Sequence, residues 1–270
     1  MMKTLWKKTP AWLKAIILNL VILFPVVIAI QSLIGLNFQL HNEWPWSVPI
    51  AAILLYAFYK LNKKYAKFDL QKDVQISFRF NMKKSDNWLY LIAILLIVQS
   101  IGPLFSYVFN IDTTQQVAYI QSFKALNLFT AIPVLALLAF CAGLTEEIVY
   151  RGHIQNVLVR KYNKWLSFSL TGIIFAALHF LPLPLILPYI IISVIFSIVA
   201  DRMKSTALVI WGHFLVDLTS FMLILFFPNF LHEPSGLNIL ITIGMLSIGI
   251  FFLFRQNYSS KKTSLAKAAN

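Results

Sequence analysis

The 270-residue chain is 59% hydrophobic and only 12% charged, with a mean hydropathy of +0.74. A soluble domain carries roughly 25% charged residues, so a single water-facing globule is excluded. A net charge of +13 in so apolar a chain reads as basic loops beside a membrane rather than as a nucleic-acid surface.

In chain order, the first apolar run, 13–36, follows a basic start, is too long for a signal-peptide core and lacks a small-residue cleavage site. It reads as a signal anchor. A bilayer crossing needs about 20 apolar residues, and eight candidate spans follow one another: 13–36, 45–59, 88–109, 125–145, 165–182, 186–200, 206–227 and 237–254. The second and sixth are short, with Trp44, Trp46 and Tyr189 placed to sit at the interface. Pro182, Pro184 and Pro188 remove backbone donors and are expected to break the helix into a short outside connection between spans five and six. The lone Cys141 lies in an apolar run and forms no disulfide within the chain.

With a cytoplasmic N-terminus, the inside segments are 1–12, 60–87, 146–164, 201–205 and 255–270. Together with Lys14 they hold all but Lys124 of the 23 Lys and Arg, whereas the outside loops carry Glu43, Asp112 and Glu233. This bias predicts an even number of spans with both termini cytoplasmic. The expected fold is therefore all-α, a polytopic transmembrane bundle of about eight spans in one domain, 1–270. Within it, 1–124 is scaffold, 125–227 the core that carries the motifs, and 228–270 the last span and a basic tail. The longest polar segment, 60–87, reads as a solvated positive-inside loop in preference to a headgroup-binding one. There is no internal repeat, no Gly-rich phosphate loop and no inverted pair of broken helices.

Spans one to three hold no charge away from their ends, Lys14 lying at the boundary of the first, but the second half does. Span four ends in Glu146 and Glu147, followed by Arg151. On a helix Glu147 and Arg151 are i,i+4 neighbours and can pair, while Glu146 is turned about 100° away. The bland reading is a helix end meeting the headgroups. His179 falls deep in span five, four residues after Phe175, where a lone imidazole is often only a hydrogen-bond partner between helices. His213 and Asp217 share one face of span seven. An ion pair between them would lower the cost of a mid-bilayer carboxylate, about 3 kcal/mol. Together these residues offer what water activation requires: a base, a proton carrier and an electrophilic stabiliser. His41, His153 and His232 read as surface residues, since nothing beside them completes a site.

Glu-Glu-x-x-x-Arg at 146–151, Phe-x-x-x-His at 175–179 and His-x-x-x-Asp at 213–217 resemble, in this order, the motifs of the CPBP (Abi) family of intramembrane proteases. That family groups type II CaaX prenyl endopeptidases with bacteriocin-processing and immunity proteins, and the resemblance covers about 140–220. It implies that Glu146 activates the attacking water with His179 as proton acceptor or ligand, that Glu147 and Arg151 support the first motif, and that His213 stabilises the oxyanion. Asp217 stands where many members have Asn. An ionised Asp cannot donate to an oxyanion, so it is expected to be protonated, to orient His213, or to ligate a metal.

Zn²⁺ could be held by Glu146, His179 and His213, but no His-Glu-x-x-His occurs in the sequence, and a metal-free glutamate mechanism is slightly preferred. The leading reading is an endopeptidase in a bacterial plasma membrane that cleaves a peptide or membrane-anchored protein near the cytoplasmic leaflet. Its partners would be that substrate and the lipid bilayer, with no nucleic acid; the sequence carries no signature of oligomeric state. The alternative is a non-catalytic bacteriocin self-immunity or binding protein. A proton-coupled transporter is the weaker third reading, since matching broken helices are lacking.

Overall fold

In the computed structural model the backbone is described for Trp6 and residues 8–40, 43–69, 85–179, 183–203, 205–228 and 235–268; side chains are described over these ranges apart from 64–69, 85–87 and 256–268. Most of the basic segment 60–87, together with His41, Pro182, His232 and Glu233, lies outside the described side chains.

The described residues form helices and no strands. We number them α1 (Ala11–Gln39), α2 (Ser47–Asp69), α3 (Ser85–Phe109), α4 (Thr114–Ser122), α5 (Leu128–Val159), α6 (Lys164–Ala177), α7 (Leu183–Met203), α8 (Thr206–Phe226) and α9 (Gly236–Ala268). Each of the eight predicted spans overlaps one of these helices. Six of them, α1, α3, α5, α7, α8 and α9, are long and apolar enough to cross a membrane by length and composition. The other two fall short for different reasons. The apolar part of α2 gives way to Lys60, Lys63, Lys64 and Lys67, and α6 has 14 residues, about 21 Å at 1.5 Å per residue. α4 lies in a segment expected to be an outside loop; Asp112, just before it, accepts from the Thr114 hydroxyl and from the Thr114 N–H at 2.8 Å, and these bonds hold the carboxyl below the usual range.

Three boundaries differ from the sequence expectation in ways that build the interior. The helix of the fourth span, α5, does not end at residue 145. It runs on through a π-helical stretch, Ile148–Ile154, to Val159, so Glu146, Glu147 and Arg151 sit inside a helix rather than at its mouth. Inserted π turns of this kind are frequent at functional sites. The connection expected across 181–188 is shorter, because the next helix already begins at Leu183. Pro184 lies in the first turn of α7, where an amide donor has no partner anyway, and Pro188 is buried inside the helix. The helix of the fifth span, α6, closes at Ala177, so His179 lies in the turn after it, its N–H bonded to the Ala176 carbonyl at 3.2 Å.

Packing joins α3 to α9, α5 to α8, α6 to α7, and α2 to both α1 and α5. Gly143 brings α5 directly onto α8: a Cβ there would lie 2.9 Å from both the Ile210 carbonyl oxygen and the Phe214 nitrogen. Both are backbone atoms and neither can yield without the helices parting. Gly143→Ala is therefore expected to lower stability by about 1–3 kcal/mol, read as a fall in the thermal unfolding midpoint of the purified protein. An unchanged midpoint would disprove the close approach. On the far side of α8, Gln99 of α3 donates to the Val216 carbonyl at 2.7 Å and accepts from the Ser220 hydroxyl at 3.0 Å. These bonds fix α8 against the α3–α9 pair.

Candidate active site

The start of α8 is sunk into the protein: Ser205 and Thr206 through Ile210 are all buried. His213, two turns in from that start, therefore lies level with the π-helical part of α5. Gly143 then sets the first motif directly against it.

Glu147 and Arg151 are both buried, with the guanidinium Nη1 donating to Glu147 Oε1 at 2.9 Å. Nη2 donates to the Ser193 carbonyl at 2.9 Å and reaches the Ser193 hydroxyl at 3.0 Å. The rings of Tyr150, Phe175 and Phe196 surround the guanidinium at 5.9, 5.5 and 5.3 Å. A cation enclosed by π faces is stabilised electrostatically by them. Phe175 thus has a definite place, between Arg151 and His179, whose ring it contacts at 4.4 Å.

The same Glu147 Oε1 lies 2.8 Å from His213 Nδ1. An ionised carboxylate only accepts, so Nδ1 carries the proton. His213 Nε2 then faces two further carboxylates, Asp217 Oδ2 at 3.4 Å and Glu146 Oε2 at 3.9 Å. His179 is oriented in the same manner. Its Nδ1 lies 2.7 Å from the Phe175 carbonyl oxygen, which can only accept, leaving Nε2 directed at Glu146 Oε1 at 3.9 Å. Tyr189 packs on the His179 ring at 5.1 Å and Phe196 on the His213 ring at 5.3 Å.

The fold thus brings Glu146, His179, His213 and Asp217 to one place from two helices, α5 and α8, and the turn after α6, with Glu147, Arg151 and Phe175 directly behind them. The remaining histidine of the first motif's helix points elsewhere: His153 Nε2 meets Asn62 Oδ1 at 2.9 Å. Glu146 Oε2 is buried and has no hydrogen-bond partner among the described residues. At 3.9 Å neither imidazole bonds it directly, but a single water fits between a nitrogen and an oxygen so spaced.

Two supporting contacts were not anticipated from the sequence. One is Ser193 as partner of Arg151. Its only sequence signal is the recurrence of polar residues at 193, 197 and 201 on one face of an otherwise apolar helix. The other is the Asn19 side chain of α1, which donates to the Tyr150 hydroxyl inside the π turn Asn19–Leu23.

Among the described residues no three His, Cys, Asp or Glu side chains converge at metal-holding geometry.

Residues 128–219 match the model of the family described as type II CAAX prenyl endopeptidase Rce1-like. No curated protein and no solved structure matches the chain. The matched segment contains all three motifs and every side chain of the cluster. Over its motif-bearing core this multi-pass, all-helical chain is therefore similar to the type II CAAX prenyl endopeptidase Rce1-like family, the intramembrane-protease group that its motifs resemble.

Proposed function

We propose that the chain is an endopeptidase of a bacterial plasma membrane, with both termini cytoplasmic, that cleaves a peptide or membrane-anchored protein by glutamate-activated water. The observation that carries this reading is the spacing of Glu146 between two imidazoles of fixed tautomer. Ionised Glu146 and neutral His179 Nε2 are both acceptors, 3.9 Å apart. A water between them donates one hydrogen to each and keeps its lone pairs for a carbonyl carbon.

In the proposed reaction Glu146 takes one proton of that water while the hydroxyl oxygen bonds to the scissile carbonyl carbon. The negative charge moves to the carbonyl oxygen. His213, as imidazolium, donates from Nδ1 to Glu147 and from Nε2 to the oxyanion. Collapse of the tetrahedral intermediate breaks the C–N bond, and the proton held by Glu146 passes to the leaving amine. Water thus adds across the peptide bond and every group returns to its starting state. Glu147 and Arg151 act as positioning residues, since they hold the His213 ring from behind through its Nδ1 proton.

Asp217 is assigned to orienting His213, an inference supported by its 3.4 Å approach to Nε2. Asp217→Asn keeps the shape and an acceptor oxygen while adding a donor. It is expected to retain the cleavage rate to within about tenfold, much less than the loss expected for a catalytic base. A loss as large as that of a Glu146 variant would instead make Asp217 the base.

The reading is tested by reconstituting the full chain in liposomes with single-span reporter peptides and analysing the products by mass spectrometry. Cleavage within or beside the span, adding one water, is the expected result. Folded parent protein that captures reporters and returns them intact would replace hydrolysis with the binding or self-immunity role.

A further inference from the structure

We propose that the groove between α1, α2 and the C-terminal end of α5 is a binding site for one anionic phospholipid. The groove has a volume of about 1170 Å³, above the roughly 300–1,000 Å³ of ordinary small-molecule sites. None of Glu146, His179, His213 or Asp217 lines it, so it is separate from the cluster described above.

Its two ends differ in chemistry. Along most of its length the walls are aliphatic, with Val21 and Val26 from α1 and Leu54 and Leu61 from α2. Three of these are strongly exposed, at 67% for Val21, 38% for Leu54 and 54% for Leu61. A soluble ligand has no use for so long an apolar wall, whereas an acyl chain does. At one end Lys8 and Lys14 meet Arg160 and Lys161. The first pair comes from the start of α1 and the second from the residues that close α5, so packing of α1 on the end of α5 is what assembles them. No carboxylate lies among the described lining residues; Lys14 stands over the Trp6 ring at 5.6 Å, a contact that leaves its charge unneutralised. His153 and Asn62, paired at 2.9 Å, form an uncharged polar step between the basic end and the aliphatic walls.

A cationic head pocket continuous with an aliphatic channel complements an amphiphile with an anionic head. A neutral lipid would leave the four cations unmatched, and free phosphate would leave the channel unfilled. Basic residues close to a membrane surface attract acidic headgroups in this way; here the fold gathers them at the end of a cleft rather than along a loop.

The test uses the full chain in nanodiscs with equal phosphatidylglycerol and phosphatidylcholine, followed by native mass spectrometry of the lipids that stay bound on release. One phosphatidylglycerol per protein is expected, enriched about tenfold or more over phosphatidylcholine. Combining Lys8→Gln, Lys14→Gln, Arg160→Gln and Lys161→Gln is expected to abolish the enrichment. Lys124→Gln, away from the groove, leaves it unchanged. Leu54→Trp narrows the channel without touching charge and is expected to lower retention of both lipids. It decides the matter should the fourfold variant fail to fold by circular dichroism. Equal retention of the two lipids by the parent, or undiminished retention in the folded fourfold variant or in Leu54→Trp, would overturn the proposal. Displacement of the lipid by excess glycerol phosphate would also overturn it, in favour of a soluble anion.

Discussion

Replacing Arg151 with alanine is expected to lower stability by about 3–5 kcal/mol, the loss typical of removing one partner from a buried ion pair. Arg151 and Glu147 have fully buried side chains, so the glutamate left behind would keep only the His213 Nδ1 contact at 2.8 Å. The Ser193 carbonyl and hydroxyl would lose their donor as well. Lysine is not an adequate replacement. A single ammonium on a flexible stem does not reproduce the planar fork that reaches Glu147 and Ser193 at once, nor does it stack on three rings in the same way. The mechanism also makes a prediction about rescue. In the Arg151→Ala background, Glu147→Gln removes the stranded charge while leaving an oxygen to accept from His213, so part of the stability should return. In the otherwise unaltered protein the same change strands the guanidinium instead and should destabilise. Denaturant unfolding of the four proteins in detergent closes the cycle. A loss below about 1 kcal/mol for Arg151→Ala would place the pair with ordinary exposed salt bridges and remove the argument.

The helices were legible because hydrocarbon thickness imposes a length on apolar runs, and each of the eight runs overlaps one of the helices of the fold. Legibility fell where burial depends on partners. α6 reads as a span from its apolar residues, but only 14 residues are helical before the chain turns at His179. Pro184 and Pro188 read as breakers because the rule against proline concerns donors in a helix interior. One lies in a first turn, and the other is accommodated by neighbouring helices. α4 is too polar and short to announce itself.

The candidate site shows the same division. Adjacent spacing revealed that Glu147 can meet Arg151 and that His213 can meet Asp217, since i,i+4 neighbours are fixed by helix geometry. The meeting of Glu147 with His213, 66 positions apart, depends on the glycine contact at Gly143 and the buried start of α8. The approach of His179 to the same cluster depends on the turn after Ala177 as well. None of these features has a periodic signature. The roles of Ser193, Tyr189 and Phe196 were hidden for a related reason: a faint polar periodicity, an interfacial aromatic and a core phenylalanine say nothing of the site until the fold gives each of them Arg151 or a histidine to touch.

Glu146→Gln is expected to reduce the cleavage rate by about 10²–10⁴-fold, the range that a general base supplies, with membrane insertion and unfolding midpoint preserved. Glutamine has nearly the same shape as glutamate, so packing around α5 should persist. Glu146 makes no direct hydrogen bond to either imidazole, both being 3.9 Å away, and its Oε2 has no partner among the described residues. Little native-state bonding is therefore lost. What disappears is the capacity to take a proton from the intervening water. The remaining acceptor, His179 Nε2, still positions that water but stands alone, so residual activity should depend on it, and adding His179→Gln should reduce the rate further. Arg151→Ala offers the contrast, since its loss of activity should track its loss of folded protein, whereas Glu146→Gln separates the two. Retention of more than about a tenth of the parent rate by folded Glu146→Gln would move the base elsewhere, with Asp217 next in line at 3.4 Å from His213 Nε2. If instead the variant lost cleavage but kept a protective phenotype in cells, protection would arise from binding alone, and hydrolysis would be a second use of the same buried carboxylate.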